Sequence, residues 1–358
     1  MSKIKVALIG SYPPPPGGIS IHIQRLKRQL EERGYGCIVY DLKGQNELPE
    51  KNVIRIENVK KWLLRYLFFA KENIVHYHNS DWKMRVVIGL MGLLGKKTII
   101  SVQGASLEDS LKSASWFKKK IIRFSLRHTS FIVAANREIE DLLLSLNIDS
   151  QKTAVIPAFI PPVIEKEDYQ RIPKRVWNFI KAHSPIISAD AFKISFYNNQ
   201  DLYGIDMCID LCANLKQDYP KIGLVFCLPE IGDYEYFNKM KQRIKEKDIE
   251  DNFLFQIEPC QMYPIILKSN VFVRPTNTDG DAISLREALY FKIPSVASDV
   301  ILRPEGTILF RSRDINDFIL KTKDILDNYD QYKNRLEIVK LEDNFEKILK
   351  VYRKVFKS

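Results

Sequence analysis

Short apolar runs of four to six residues alternate with longer segments of helical periodicity along this chain, the pattern of parallel strands covered by helices on both faces. In the first part the runs are 6–10, 37–42, 74–78, 98–102, 131–135 and 154–157. A second series begins near Lys193, with 194–197, 223–228, 253–257, 271–274 and 295–298. The spacing predicts two α/β units in succession. Between them, residues 157–189 hold five prolines and a polar stretch, and read as the connection. The last segment, 344–356, places Phe345, Ile348, Leu349, Tyr352 and Val355 or Phe356 on one helical stripe. The expected division is 1–160 and 190–341, joined by a linker over 161–189, with a terminal helix at about 342–358.

A chain of 358 residues with 45% hydrophobic content exceeds one ordinary core and suits two globular domains. It enters its first strand pattern at once, and no apolar run approaches the roughly 20 residues that span a bilayer. A cytoplasmic location is the expectation. Five cysteines, Cys37, Cys208, Cys212, Cys227 and Cys260, show no paired metal spacing and read as buried thiols. The formal charge of +11 is uneven: residues 1–150 carry 24 Lys and Arg against 14 Asp and Glu, and the remainder is nearly balanced. Two segments of the first half, 60–71 and 115–124, mix cations with Trp, Tyr and Phe. Such helices suit either an anionic membrane surface or the solvated face of a packed helix. No nucleic-acid motif accompanies the charge.

The polar loop Arg274-Pro275-Thr276-Asn277-Thr278-Asp279-Gly280-Asp281 lies between an apolar run and a helix pattern. The unpaired first amides of that helix and the positive end of its dipole favour an anion, although Asp-Gly at this place also suits a plain cap and turn. After the first strand, Gly17-Gly18 closes a proline run at another helix start, where backbone can approach a ligand. Alternation places His76 and His78 on one side of their strand. Without a carboxylate or Cys nearby in sequence, they do not read as a metal site.

With these loops in this order, the chain resembles retaining glycosyltransferases of family 4. The resemblance rests on an acidic residue and a Glu separated by seven residues, Asp279 and Glu287, followed by Pro294-Ser295-Val296-Ala297-Ser298-Asp299. It implies a GT-B fold, two facing Rossmann-like domains with a C-terminal crossover helix. It also implies a nucleotide-diphosphate sugar as donor, most often UDP-linked. By that resemblance Glu287 holds the ribose and Asp279 lies by the donor sugar. The backbone between them, Gly280 and Asp281 with Ser284, meets the diphosphate, and Gly17 and Gly18 close over the donor phosphates or the acceptor. His76 and His78 line the acceptor side, and Gln103 stands where a His-Gly is common. Gln can bond a sugar hydroxyl but does not titrate near neutrality. Asn198 and Tyr203 replace the family's Arg and Lys, so Arg274, Arg286 and Lys193 become the candidate cations.

The implied activity is transfer of a sugar to a lipid-linked glycan in cell-surface polysaccharide synthesis, on the inner face of the plasma membrane. No metal or other cofactor is expected. The rival readings are a non-catalytic sugar-nucleotide binder that partners an active transferase, and a UDP-sugar epimerase of the same fold.

Overall fold

A computed structural model of the chain describes residues 4–13, 17–42, 50–78, 81–103, 106–280, 282–340 and 342–357, with backbone only at 67–69. It divides into two compact units, 1–163 with 343–358, and 164–342.

The first unit runs β1 (Lys5–Gly10), α1 (Gly18–Glu32), β2 (Gly36–Asp41), β3 (Val53–Arg55), α2 (Val59–Phe69), β4 (Ile74–Tyr77), α3 (Trp82–Leu93), β5 (Lys97–Val102), α4 (Ser106–Lys112), α5 (Trp116–His128), β6 (Phe131–Ala134), α6 (Arg137–Ser145) and β7 (Thr153–Val155). Its sheet is parallel, in the order β3-β2-β1-β4-β5-β6-β7. Strand alternation splits the core in two. Val6 and Leu8 join α1 on one face, while Ala7 and Ile9 join α3 and α5 on the other.

The second unit holds α7 (Lys166–Gln170), α8 (Lys174–Ala182), β8 (Ile186–Asp190), β9 (Phe196–Tyr197), β10 (Gln200–Asp201), α9 (Ile205–Leu215), β11 (Gly223–Cys227), α10 (Tyr234–Glu246), β12 (Phe253–Gln256), α11 (Tyr263–Ile266), β13 (Val271–Arg274), α12 (Ile283–Tyr290), β14 (Ser295–Ser298), β15 (Thr307–Phe310), α13 (Ile315–Asp327) and α14 (Tyr329–Ile338). Its main sheet is again parallel, in the order β12-β11-β8-β13-β14-β15. Counted within the unit, both sheets follow the same 3-2-1-4-5-6 winding, so both are Rossmann-like.

The terminal helix α15 (Asn344–Lys357) belongs to the first unit. It buries Phe345, Ile348, Leu349, Tyr352 and Val355 against the β1 and α1 face. At about 1.5–3 kcal/mol per buried apolar side chain, this stripe holds the helix in place. Polar ties add direction: Asn344 Nδ2 donates to the Phe159 carbonyl at 2.9 Å, and Lys97 Nζ to that of Phe356 at 2.8 Å.

Two expectations need correction. The stretch 161–189 is not a bare linker, since most of it forms α7, α8 and β8 of the second unit. Pro173 precedes α8 and Pro185 precedes β8, where neither has a ladder bond to lose. The first strand of that unit is accordingly Ile186–Asp190, and 194–197 leads into the small β9-β10 hairpin.

Candidate functional site

The second sheet reverses its winding between β8 and β13, which pair from Val271↔Ile187 to Val273↔Ala189. Ligands of open parallel sheets collect outside the carboxyl ends of strands at such a point. Here β8 ends on Asp190 and β13 on Arg274, and the two side chains meet. Arg274 Nη1 donates to the Asp190 carboxylate at 3.0 Å and to its carbonyl at 3.1 Å. Its Nε and Nη2 donate to Asp279 at 3.1 and 3.3 Å. Arg303 completes the cluster. Its Nη1 donates to Asp279 at 2.8 Å, its Nη2 to Thr276 Oγ1 at 3.0 Å and Ser298 Oγ at 3.1 Å, and its Nε to the Ser298 carbonyl at 3.0 Å.

Asp279 thus accepts from both arginines, from Thr276 Oγ1 at 3.2 Å and from the Gly280 amide at 3.1 Å. Burial alone would raise its pKa, but Arg274 and then Arg303 outweigh burial and bring it to about 2. Burial likewise works against the charge on Arg274, and Asp279 and Asp190 outweigh it, raising its pKa. Two expected roles change. Asp279 has little accepting capacity left for a donor sugar, and Arg274 is matched by two carboxylates instead of standing free for a diphosphate. The Gly280 amide is spent on Asp279 as well.

Two helix starts flank this point, and they differ. At α9, Asp201 Oδ1 accepts from the amides of Tyr203 and Gly204 at 3.0 and 3.2 Å, and Oδ2 from that of Ile205 at 2.8 Å. Tyr236 adds a fourth bond at 3.2 Å. A carboxylate of the chain therefore fills the anion site of α9. Gly204 must take φ 69°, and a Cβ on it would lie 2.6 Å from the Pro275 carbonyl, so backbone meets backbone here. At α12, by contrast, Ala282 supplies no side-chain cap. Ser284 Oγ donates to Asp190 at 2.8 Å, so among the described residues no side chain caps the first amides of α12. Glu287, one turn in, is 1% exposed, and Arg286 is partly exposed on the same helix. Asp281 lies outside the described residues.

Asn198 sits with Asn199 in the tip of the β9-β10 hairpin, both at positive φ, as a two-residue hairpin of this twist requires. The Tyr203 ring carries the Arg274 guanidinium 5.1 Å from its centroid, so a cation does reach that position from β13. Lys193 follows β8 by three residues, half-exposed and 3.8 Å from Glu230.

The first sheet reverses between β1 and β4. Gly10 ends β1, and a Cβ there would lie 2.5 Å from Ile23 Cδ1. The Gly17 amide donates to Ser20 Oγ at 2.8 Å, and Gly18, the first residue of α1, is exposed. Gln103 follows β5 and is partly exposed. The histidines are not surface groups. His76 is fully buried, its Nδ1 2.7 Å from the Tyr352 hydroxyl and its Nε2 2.8 Å from Ser101 Oγ, so it has no nitrogen left for an acceptor. His78 is 1% exposed with neither nitrogen bonded, and its ring lies 3.8 Å from that of His76 and 5.0 Å from that of His22. Among the described residues no three His, Cys, Asp or Glu side chains are grouped so as to hold a metal ion.

The two basic aromatic segments also differ. In α2, Trp62 and Tyr66 pack on Tyr40, with ring centroids 5.4 and 5.3 Å away. In α5, Trp116 is 74% and Phe117 64% exposed, and Phe124 is also exposed, beside Lys119, Lys120 and Arg127. Among the described residues, no helix is long and apolar enough to cross a membrane.

Comparison with known proteins agrees with this arrangement. The family model of glycosyl transferases group 1 matches residues 185–346, and that of glycosyltransferase family 4 matches 16–163. The chain belongs to the GT-B glycosyltransferases. Among curated proteins, the alpha-monoglucosyldiacylglycerol synthase of Streptococcus pneumoniae is 21% identical over 313 residues, 80% of this chain and 69% of that one. A glycosyltransferase of Rickettsia africae superposes with a TM-score of 0.71 at 13% identity, covering 100% of both chains. HepE of Anabaena, solved in complex with UDP, gives 0.63 at 11% identity, covering 99% of this chain and 98% of the other. Beside the motif residues of this glycosyltransferase stand Asp190, Asp201, Thr276, Ser298 and Arg303, which sequence reasoning missed. Arg303 carried the one usable signal, a cation just after an apolar strand.

Proposed function

We propose that the protein transfers a sugar from a nucleotide-diphosphate donor, UDP-linked, to a lipid-linked glycan of cell-surface polysaccharide, with retention of anomeric configuration. The observation that carries this reading is the start of α12 at the switch point of the second sheet, without a side-chain cap among the described residues, with Glu287 buried one turn behind it. The amides at that start meet the diphosphate, and Glu287 accepts from the ribose hydroxyls. Asp279 acts as a positioning residue: pinned by Arg274 and Arg303, it fixes the loop 276–280 from which the helix begins. Gln103 bonds a donor hydroxyl, and no protein metal takes part. That HepE of Anabaena was solved with UDP-glucose as well as UDP supports the donor class, and that the pneumococcal relative is named as an alpha-monoglucosyldiacylglycerol synthase supports a lipid-borne acceptor.

Glu287→Ala is expected to lower kcat/KM for the UDP-sugar roughly 100-fold, the loss of charged hydrogen bonds worth about 2–3 kcal/mol. Turnover of a UDP-sugar panel, with UDP titration calorimetry beside it, measures this. Unchanged turnover removes the site assignment. One observation favours the non-catalytic rival: Arg274 is fully matched by Asp190 and Asp279. UDP binding without turnover across acceptors would establish that reading in place of ours.

The outer face of α5 is the proposed contact with an anionic inner membrane leaflet, because its aromatics protrude among cations. Trp116→Ala with Phe117→Ala should weaken pelleting with phosphatidylglycerol vesicles by roughly tenfold or more at low salt. Equal pelleting of variant and parent would exclude this face.

A further inference from the structure

The second unit carries a pair of thiols that the site at α12 does not use. Four of the five cysteines are buried, whereas Cys260 is partly exposed, beside the exposed Ile257, Glu258 and Pro259 in the loop after β12. The expectation of buried thiols fails there. Cys227, 6% exposed, ends the inner strand β11, where its register partners are Asp190 of β8 and Gln256 of β12. The Gln256 side chain donates to the Glu258 carbonyl at 2.9 Å and to Cys260 Sγ at 3.9 Å, which holds the loop back over the end of β11. Cys227 and Cys260 therefore meet. Their thiols share a hydrogen bond, and both side chains pack in one small core with Val225 and Ile265.

That bond sorts the two sulfurs. Donation from the Cys227 S–H, helped by Gln256, lowers the pKa of Cys260 against its burial and the nearby Glu258 and Asp168. The same bond, with burial, raises that of Cys227. Thiolate character thus falls on the sulfur that solvent can reach, the arrangement of an attacking thiol with a resolving partner. Cys208 and Cys212, a turn apart on α9, are by contrast 0% exposed inside the main core of the unit.

We propose that Cys227 and Cys260 close a reversible disulfide, with a low-molecular-weight disulfide as oxidant, and that closure weakens nucleotide binding at the start of α12. The second half rests on the donor-site reading; the first rests on the two sulfurs alone. The Cys260 thiolate attacks one sulfur of the oxidant and expels a first small thiolate. Cys227 then gives up its proton and attacks Cys260 Sγ, which expels the second. Two protein thiols are oxidised by two electrons, one small disulfide is reduced, and the two protons end on the two small thiols released. Cys227 is fixed between β8 and β12, so the loop 257–262 takes up the approach of the sulfurs to about 2 Å. Met262, at the end of that loop, packs both on the Cys227 core and on the cluster of Ile266, Ala282 and Leu285. Ala282 is the N-cap of α12, so a shift of the loop reaches the amides that face the nucleotide.

The test is incubation of the full chain with glutathione disulfide, then non-reducing peptide mapping and calorimetric titration with UDP. Mapping should recover one peptide pair joined through Cys227 and Cys260, and the oxidised chain should bind UDP roughly fivefold more weakly or worse. Dithiothreitol should reverse both. Cys260→Ser should form no joined pair and bind UDP equally with and without the oxidant. Cys227→Ala should stop at a glutathione adduct on Cys260, because the resolving thiol is gone. Free thiols that survive the oxidant, a parent chain that stops at the adduct, a bond between Cys208 and Cys212 instead, or unchanged UDP affinity in the oxidised chain would each overturn the switch. A reduced parent that binds no UDP would remove the donor reading, and the joined pair with its reversal would still establish the dithiol.

Discussion

Arg303→Met is expected to destabilise the second unit by about 3–5 kcal/mol, the range found when one partner of a buried ion pair is deleted. The Arg303 side chain is 1% exposed and donates to four acceptors on three residues, Asp279, Thr276 and Ser298. Without it, the Asp279 carboxylate, 9% exposed, keeps two neutral donors, Thr276 and the Gly280 amide, and among the described residues one cation, Arg274, which it shares with Asp190. Urea unfolding reads the change as a lower midpoint, and UDP affinity should fall with it, because the loop before α12 loses its anchor. Arg303→Lys should recover little, since a point charge cannot span those acceptors. Adding Asp279→Leu to Arg303→Met should restore part of the stability but not UDP binding, because the buried charge then leaves with its partner. The same network sets an acid limit. The folded pKa of Asp279, about 2, lies below the 3.8 of an ordinary Asp carboxyl, so its contribution is complete above about pH 4 and fades as pH falls through 2. The size of that contribution is about 2 kcal/mol. A midpoint for Arg303→Met within 0.5 kcal/mol of the parent would show that the cluster does not support the fold.

Local signals carried further in this chain than contacts between distant residues. The run Val6–Ile9 is apolar at every position and too short for a helix, which suits a strand buried on both faces, and the loop after β13 announced itself by its Gly and acids. β8 was harder to see. Only Ile186 and Ile187 open it, and Ser188, which looks like a break, is buried because its hydroxyl accepts from Ser269 Oγ at 2.8 Å. The run Ile194-Ser195-Phe196-Tyr197 has stronger β-propensity and drew the assignment away. β3 and β15 went unread because each is three or four residues of half-exposed edge. The site shows the same division. Asp279 and Glu287 follow from spacing along one loop and helix, but Asp190 reaches Arg274 from 84 positions away, and no periodicity reports such a pair. Alternation placed His76 and His78 on one side of β4; it could not say that α15, from the far end of the chain, covers that side.

Acidification from pH 6.5 to 4 is expected to weaken the first unit well before the second, through those histidines. His22, His76 and His78 are 3%, 0% and 1% exposed. Burial lowers the pKa of His22 to about 4 despite its hydrogen bond to the Ala158 carbonyl, and Arg25 lowers it further. Burial, then the neighbouring rings, hold His76 and His78 well below the usual histidine value. In the unfolded chain all three titrate near 6.5. The unfolded state therefore binds protons that the native state refuses, and stability falls as pH drops through 6.5 toward 4. His22 alone accounts for about 3 kcal/mol over that window, a large share of the roughly 5–15 kcal/mol that holds a domain. Trp62, Trp82 and Trp116 lie in the first unit and Trp177 in the second, so fluorescence-detected urea unfolding at pH 7, 5.5 and 4 follows mainly the first. Two variants separate titration from packing. His78→Phe gives up no hydrogen bond, and should hold its stability at pH 7 while flattening the acid slope. His76→Phe loses both Tyr352 and Ser101, and should lower stability by about 2–3 kcal/mol at pH 7, because two buried hydroxyls then lack a partner. A first unit whose midpoint is flat from pH 6.5 to 4, or a His78→Phe slope equal to the parent's, would mean that water or another group takes up the protons and that these rings are not the acid sensors of the fold.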